Sequence, residues 1–405
     1  MTAFTVLLPA LALPVAALLA AATVLPPHPT ATATTTTIAT TGAETSTAPY
    51  VVVLKDTTPR APTRALVGEA AAAGDEIGTV YDAVLNGFAV RTTPARAAAL
   101  ASDPRVASVE PDARFRTADA QPHAPWPLDR IDQRDLPLDG SYTYATKAEG
   151  VTVYVVDTGI TTDHEEFGGR ARAGHNAVPT ESAADCNGHG THVAATVGGA
   201  TYGVAKGVSL VAVKVADCHG AGNLSDLLSG LDWLLKDATA TPAVPAVANL
   251  SMGGGRSYAL NTAVTRVIDS GITFTVAAGN DEGDACAGSP SGVPQALTVG
   301  ATDSGDRLAP FSNHGRCVDL SAPGVSVTSA WKGSTTATNR ASGTSMAAPH
   351  VAGAAALILA TGTARTPAEV SRALVGDAAA DRLSGLPAGT PNLLLQVPAT
   401  RWTAP

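Results

Sequence analysis

The sequence has few charged side chains, few aromatic side chains and no run of basic residues. Charged residues make up 15% and aromatic residues 4% of the 405 positions, and 26 lysines and arginines against 35 acidic residues give a net charge of -9 at pH 7. A nucleic-acid-binding protein needs clustered lysine and arginine to neutralise phosphates, so this class of protein is excluded. Hydrophobic residues at 45% exclude a wholly disordered chain and allow a large core.

No lysine or arginine precedes Lys55, although the chain opens with an apolar run from Phe4 to Leu25. An export signal normally has a basic segment ahead of its apolar part. The prolines within the run and the alanines near its end favour a signal that is cleaved; a retained membrane anchor is the alternative. We predict a signal peptide over residues 1–25 and a threonine- and alanine-rich spacer over residues 26–48.

The cysteines also exclude one kind of site. The chain has four of them and no Cys-x-x-Cys pair, so a structural zinc site is not expected. An even number of cysteines in an exported chain predicts two disulfides, and three pairings are possible. The four are Cys186, Cys218, Cys286 and Cys317.

The chain divides into two regions of different pattern. Residues 50–116 predict strands and helices in the order β, α, β, β, α, β, the order of a split βαβ sandwich. From Trp126 onward, near-continuous apolar runs alternate with helical stretches. Such runs are typical of strands buried on both faces, and the alternation predicts a doubly wound parallel sheet. The predicted strands are 151–156, 210–215, 246–250, 273–278 and 296–299; the predicted helices are 192–197, 224–236, 259–270 and 345–360.

Three segments place a reactive side chain at the end of a strand or the start of a helix. They are Val155-Val156-Asp157-Thr158-Gly159, Asn187-Gly188-His189-Gly190-Thr191-His192, and Gly343-Thr344-Ser345-Met346-Ala347-Ala348-Pro349. A serine becomes a strong nucleophile only beside a base, and the base needs a carboxylate that fixes its tautomer. Asp157, His189 and Ser345 are therefore the candidate triad, in the Asp, His, Ser chain order of subtilisin.

These segments together resemble the subtilisin-family (subtilase) serine proteases, in the proteinase K-like branch and close to the aqualysin-type enzymes. The resemblance runs from about Pro125 to Leu395, and the module Tyr50–Arg116 is similar to the family's propeptide, which is a folding aid and inhibitor in relatives. The resemblance implies an α/β fold with a doubly wound parallel sheet, preceded by a small α+β propeptide. The expected boundaries are 49–118 for the propeptide and 119–398 for the peptidase domain.

The resemblance also implies roles for further residues. Asn280, in Ala277-Ala278-Gly279-Asn280, is the expected oxyanion donor, together with the Ser345 N–H. Two glycine-rich segments look like those that sandwich an extended peptide in relatives, and Ala277 and Ala278 leave a roomy primary pocket. The expected substrate-binding residues are Gly220, Ala221, Gly222, Ser251, Met252, Gly253, Gly254, Ala277 and Ala278.

Calcium is the cofactor that the resemblance implies, because oxygen donors suit this cation. One expected site combines Asp319 with the carbonyls of Pro294 and Ala296. The other is the cluster Asp129, Asp132, Gln133, Asp139 and Ser141. The alternatives are an ordinary loop carboxylate for Asp319 and a solvated acidic loop for the cluster. The resemblance further implies the pairings Cys186–Cys218 and Cys286–Cys317.

The expected protein is a secreted serine endopeptidase of broad specificity with an apolar or aromatic preference. It is a monomer without stable membrane association, and its partners are protein substrates and its own propeptide. It cuts itself between Arg116 and Gln121. Two alternatives differ from this expectation. A dinucleotide-binding enzyme fits poorly, because the glycines at 220 and 222 lack a third at 225. A proteolytically dead homologue would need a lost catalytic residue. His192 and His350 are expected to be buried structural histidines, and His164, His175, His219 and His314 surface residues.

Overall fold

The structure, a computed structural model, describes residues 46–55, 60–112 and 119–398. The predicted signal peptide and residues 26–45 of the predicted spacer lie outside these ranges. So does the part of the predicted cleavage region from residue 116 to residue 118.

Residues 48–111 form a small α+β unit. Its elements are β1 Ala48–Leu54, α1 Arg60–Ala72, β2 Glu76–Tyr81, β3 Gly87–Thr92, α2 Pro94–Ala101 and β4 Val106–Pro111. The strands lie in the order β2-β3-β1-β4, and all neighbours are antiparallel. Val52, Phe88 and Leu100 belong to the core between sheet and helices. The predicted element order and the α+β class are confirmed.

The second unit begins at residue 119. Its first elements are β5 Asp119–Pro122, α3 Trp126–Asp132, β6 Ser141–Tyr144, β7 Thr152–Asp157, β8 Ala171–Asn176, α4 His189–Gly198, β9 Ser209–Lys214, α5 Leu224–Ala240, β10 Ala246–Leu250, β11 Gly254–Gly255, α6 Tyr258–Asp269 and β12 Thr273–Ala277. The rest are β13 Gly288–Ser289, β14 Leu297–Thr302, β15 Leu320–Pro323, β16 Val327–Ala330, β17 Thr338–Ala341, α7 Thr344–Thr361, α8 Pro367–Asp377, β18 Ala379–Ala380 and β19 Leu393–Leu394.

A nine-stranded sheet organises this unit, in the order β18-β19-β15-β14-β12-β10-β7-β9-β8. Every neighbouring pair from β19 to β8 is parallel, and only the short edge pair β18–β19 is antiparallel. The predicted doubly wound parallel sheet is therefore confirmed. Because the carboxyl ends of parallel strands meet at one edge, the residues that follow β7, β10 and β12 lie near one another.

Strand β7 shows why its apolar run is continuous. Val153 and Val155 pack into the core on the face covered by α4 and α7. Tyr154 and Val156 pack into the core on the opposite face, with α5 and α6. Successive side chains of a strand point to opposite faces, so a strand covered on both sides needs apolar residues at every position.

Helix α7 lies at the centre of the larger core. Its sequence is apolar and long enough to cross a membrane, but 89% of it is buried inside the fold. Its alanines and glycines let neighbouring elements approach closely.

Some elements were not predicted from the sequence. Helix α8 begins at a capping box in which the Thr366 hydroxyl accepts from the Glu369 N–H and the Glu369 carboxylate accepts from the Thr366 N–H. This Thr-Pro-Ala-Glu signal precedes a periodic helix and was available in the sequence. Helix α3 and strands such as β15 are too short to show a periodic pattern that would identify them.

Candidate active site

Asp157 is the last residue of β7 and is fully buried. Its Oδ1 atom accepts hydrogen bonds from the Thr158 N–H and from Nδ1 of His189, each at 2.7 Å. A carboxylate in this position fixes the imidazole tautomer with the proton on Nδ1, which leaves Nε2 free to accept a proton.

His189 is the first residue of α4, and its side chain is 27% exposed. The turn before it requires glycine at position 188, where φ is 107°. A Cβ atom at Gly188 would lie 2.3 Å from the Trp331 ring, and one at Gly190 would lie 2.1 Å from the carbonyl oxygen of Gly159. The Asn-Gly-His-Gly pattern thus reflects close packing on both sides of the histidine.

Burial lowers the pKa of His189, but the Asp157 carboxylate and its hydrogen bond outweigh burial and leave the pKa raised. The buried histidines His192 and His350 behave differently, since burial lowers their pKa values to about 4 and about 3. Both are at most 1% exposed, as predicted for structural histidines. The surface prediction for His164 is wrong: it is 3% exposed, because it caps a short 3₁₀ helix and contacts the Ala337 carbonyl.

Ser345 is the second residue of α7, which packs against α4. Its Oγ atom donates to the carbonyl oxygen of Ser251 at 2.8 Å. The Ser251 hydroxyl in turn donates to the carbonyl oxygen of Ser345 at 2.9 Å. This reciprocal pair ties the first turn of α7 to the segment that follows β10. His189 and Ser345 therefore both lie at the N-terminal ends of helices that contact each other.

Asn280 lies beside Ser345 in the same cavity. Its Oδ1 atom accepts from the Thr344 N–H at 2.8 Å and from the Thr344 hydroxyl at 3.0 Å. Because Oδ1 has these partners, the Nδ2 donor is the amide atom left for a ligand. Sequence reasoning missed Asn313, whose side chain holds the turn by bonding the Asp281 and Gly283 N–H groups, each at 2.9 Å.

Two cavities adjoin this site, and the predicted substrate-binding residues line them. The first, of about 570 Å³, is lined by Ser251–Gly255, Ala277–Asp281 and Ser345, among others. The second, of about 480 Å³, has Gly220–Leu224 on one side and Met252–Gly255 on the other. The two predicted glycine-rich segments are therefore brought together, with Met252–Gly255 shared by both cavities.

Two stretches of the chain match known families. Residues 148–393 match the subtilase family, and residues 49–118 match the peptidase inhibitor I9 family. The chain belongs to the subtilase family. The I9 match covers the α+β unit, so this subtilase carries an inhibitor-type propeptide.

Individual proteins show the same similarity. The chain is 54% identical over 326 residues to an extracellular serine proteinase of a Thermus species, covering 80% of this chain and 78% of that protein. It is 45% identical over 327 residues to alkaline serine exoprotease A of Vibrio alginolyticus, covering 79% of this chain and 60% of the relative. A crystal structure of a cold-adapted subtilisin-like serine proteinase aligns with a TM-score of 0.64 at 48% identity, covering 68% of this chain and 98% of that one. This subtilase is accordingly a serine endopeptidase.

The two disulfides of this subtilase join Cys186 to Cys218 and Cys286 to Cys317, as the resemblance implied. The first fixes the loop before His189 to the segment after β9, three residues before Ala221. Glu181 lies close to the sulfurs of the first disulfide. Those sulfurs are bonded to each other and offer no thiolate, so this group is not a metal site.

Asp319 is the side-chain ligand of the first predicted calcium site, which also includes the carbonyls of Pro294 and Ala296. Burial raises the pKa of its carboxyl to about 6, and the Thr298 N–H at 2.8 Å is the hydrogen-bond donor to its Oδ2 atom. A carboxylate whose charged form is disfavoured by burial suits a hard cation such as calcium.

The Asp129 cluster fits a second cation. Asp129 is 3% exposed and accepts from the Asp139 and Gly140 N–H groups, whereas Asp139 itself is exposed. The Oδ1 atom of Asp132 is buried without a hydrogen-bond partner. Burial and the neighbouring carboxylates raise the pKa of Asp132 to about 7. The unpaired Oδ1 atom of Asp132 belongs to the same cluster as Asp139, Gln133 and Ser141. Together these side chains offer the oxygen ligands that calcium prefers.

Proposed function

We propose that this subtilase is a secreted endopeptidase that cuts peptide bonds through an acyl-enzyme on Ser345. His189 is the general base and Asp157 the carboxylate that orients it. The observation that supports this most strongly is the 2.7 Å hydrogen bond between Asp157 and His189 at the start of α4, which packs against the helix that carries Ser345.

In the proposed reaction, the Ser345 hydroxyl leaves the Ser251 carbonyl, its partner in the free site. It turns to Nε2 of His189, which takes the proton while Oγ bonds to the scissile carbonyl carbon. Nε2 then gives the proton to the leaving amine, and the carbon–nitrogen bond breaks. Water enters and hydrolyses the acyl-enzyme by the same proton transfers in reverse.

Two hydrogen-bond donors stabilise the negative charge that develops on the carbonyl oxygen. The Asn280 Nδ2 group is one, because its Oδ1 atom is already engaged by Thr344. The Ser345 N–H is the other, and it belongs to the first turn of α7, where the helix dipole also favours negative charge.

The substrate is proposed to bind as an added strand between the segments at 220–222 and 252–254. Glycines there let two backbones approach and place little demand on sequence. The walls formed by Ala277, Ala278 and the glycines leave the first cavity room for a large apolar or aromatic side chain. Broad specificity with that preference follows.

The domain boundaries are proposed as a signal peptide over 1–25, a spacer over 26–48, a propeptide over 49–118 and the peptidase domain over 119–398. Strand β5 supports the last boundary, because Asp119–Pro122 pairs with β6 of the larger unit. The propeptide acts as folding aid and inhibitor, and the enzyme releases it by cutting itself between Arg116 and Gln121. The mature enzyme is a secreted monomer, and both calcium sites stabilise its fold.

The test is reaction of the secreted, mature protein with a fluorophosphonate probe, followed by peptide mapping. We expect the label on Ser345 and its loss in the His189→Ala variant. Folded, propeptide-free protein that takes no label would overturn the proposal and favour a dead homologue. The Asp269→Asn variant, which alters an exposed carboxylate at the end of α6, is the matched control and should label normally.

A further inference from the structure

Asp185 is a second buried carboxylate beside the proposed triad, and nothing above gives it a role. It is 7% exposed and lies four residues before His189. A carboxylate removed from water must be compensated by donors, so its partners show what it holds in place.

Four of the hydrogen bonds that Asp185 accepts come from the loop and the first helical turn around His189. Its Oδ1 atom accepts from the N–H groups of Asn187 and Gly188, at 3.0 and 2.8 Å. Its Oδ2 atom accepts from the N–H and the hydroxyl of Thr191, at 2.9 and 2.6 Å. One side chain thus binds the backbone on both sides of His189 and fixes the first turn of α4.

Thr158 connects this arrangement to Asp157. Its hydroxyl donates to Oδ1 of Asp185 at 2.9 Å and accepts from the Gly190 N–H at 2.9 Å. Its own N–H donates to Oδ1 of Asp157 at 2.7 Å. The two carboxylates are therefore joined through a single threonine, and the histidine loop is held against both.

We propose that Asp185 is a positioning residue for the peptidase reaction: through Thr158, Gly188 and Thr191 it holds His189 at the distance from Asp157 that the base requires. This rests on the proposed function, since it assumes that His189 is the base. The negative charge of Asp185 also raises the pKa of His189, in the same direction as Asp157.

Other charged groups face the same loop and must be kept constant in any test. They are Asp157, the buried Lys214 behind Thr158 with its half-buried partner Glu181, Lys332 at the Cys186 carbonyl, and His192 one turn along α4.

The Asp185→Asn variant tests the proposal. Its Nδ2 group would face N–H and hydroxyl donors, so the loop would lose part of its support. We expect kcat to fall by about 10- to 100-fold with KM unchanged, because small displacements of a catalytic group cost that much. The acid limb of the profile of kcat/KM against pH should move to lower pH, because a negative charge near His189 is gone. The Asp232→Asn control removes an exposed carboxylate of an ion pair with Lys236 and should change neither quantity.

A second pair of variants keeps the test valid if Asp185→Asn does not fold. Thr158→Val removes the hydroxyl that joins the carboxylates, whereas Thr158→Ser retains it. We expect the kcat loss in the valine variant and its rescue in the serine variant. Active sites are counted by fluorophosphonate labelling, so that kcat refers to folded enzyme. The positioning role would be overturned if kcat per labelled site and the pH profile are unchanged in every variant that folds. In that case the substitutions would affect only yield or melting temperature. Failure of the wild-type enzyme to label at Ser345 would instead overturn the proposed function.

Discussion

The side-chain oxygen of Asn280 accepts two hydrogen bonds from Thr344, from the backbone N–H at 2.8 Å and from the hydroxyl at 3.0 Å. This contact decides which end of the amide is available to a substrate. It also joins the segment after β12 to the residue before Ser345, so the proposed oxyanion donor and the proposed nucleophile share one anchor.

The Asn280→Asp variant should lower kcat strongly. Aspartate keeps an acceptor for Thr344, but it has no N–H to donate and adds negative charge where the oxyanion forms. The loss for such a donor is about 10²–10³ in turnover, a value measured in subtilisin itself, a member of this family. Steady-state kinetics on a peptide amide checks it, with Thr344→Ser as the control that retains both contacts. Equal kcat in Asn280→Asp and wild type would contradict the assignment.

Activity should fall on the acid side as His189 gains a proton. The pKa of His189 is raised because Asp157 outweighs burial, so the neutral, active form is lost at a higher pH than for an unperturbed imidazole. The Asp157→Asn variant should move this acid limb to lower pH, since the stabilising charge is removed. The measurement is kcat/KM against pH at constant ionic strength. A limb that stays in place in Asp157→Asn would show that another group controls it.

Maturation should depend on the enzyme's own nucleophile. The Ser345→Ala variant has no hydroxyl to attack the bond between propeptide and peptidase domain, so the purified protein should remain a precursor. Mass spectrometry and N-terminal sequencing check this. Added wild-type enzyme serves as the control that the linker can be cut. A purified Ser345→Ala protein that matures alone would refute self-cleavage.

Chelation of calcium should lower the melting temperature. An ion that binds only the folded state stabilises it by about 2.7 kcal/mol when its concentration is 100 times the dissociation constant. In the Asp319→Asn and Asp132→Asn variants, chelator should lower the melting temperature by less than it does in the parent protein. In the double variant, chelator should have little effect on the melting temperature. Thermal unfolding of the Ser345→Ala background avoids self-digestion, and Asp269→Asn is the control. An unchanged melting temperature in chelator would contradict both sites.

Much of the fold could be predicted because burial on both faces leaves a simple pattern. The apolar run at 246–250 gave strand β10 with the bounds that the structure has. Helix α4 begins three residues before the predicted start at His192, because Gly188 is its N-cap and the first turn is poor in apolar residues. The side chains that hold loops in place through hydrogen bonds could not be predicted. Asp185 and Asn313 bond to backbone N–H groups, and a backbone donor leaves no trace in the sequence. An acidic residue just ahead of Asn-Gly-His-Gly was the only available signal for Asp185.

Gly353 lies two turns along α7 from Ser345, where α7 crosses α4. A Cβ atom there would lie 2.6 Å from Cβ of Val204 and 3.0 Å from the carbonyl oxygen of Val197. The absence of a side chain at Gly353 thus lets α7 approach the C-terminal end of α4 and the loop that follows it, and these two helices begin at the residues around His189 and Ser345. Position 353 is therefore one where a substitution that touches neither His189 nor Ser345 would change the packing of the two helices that carry them.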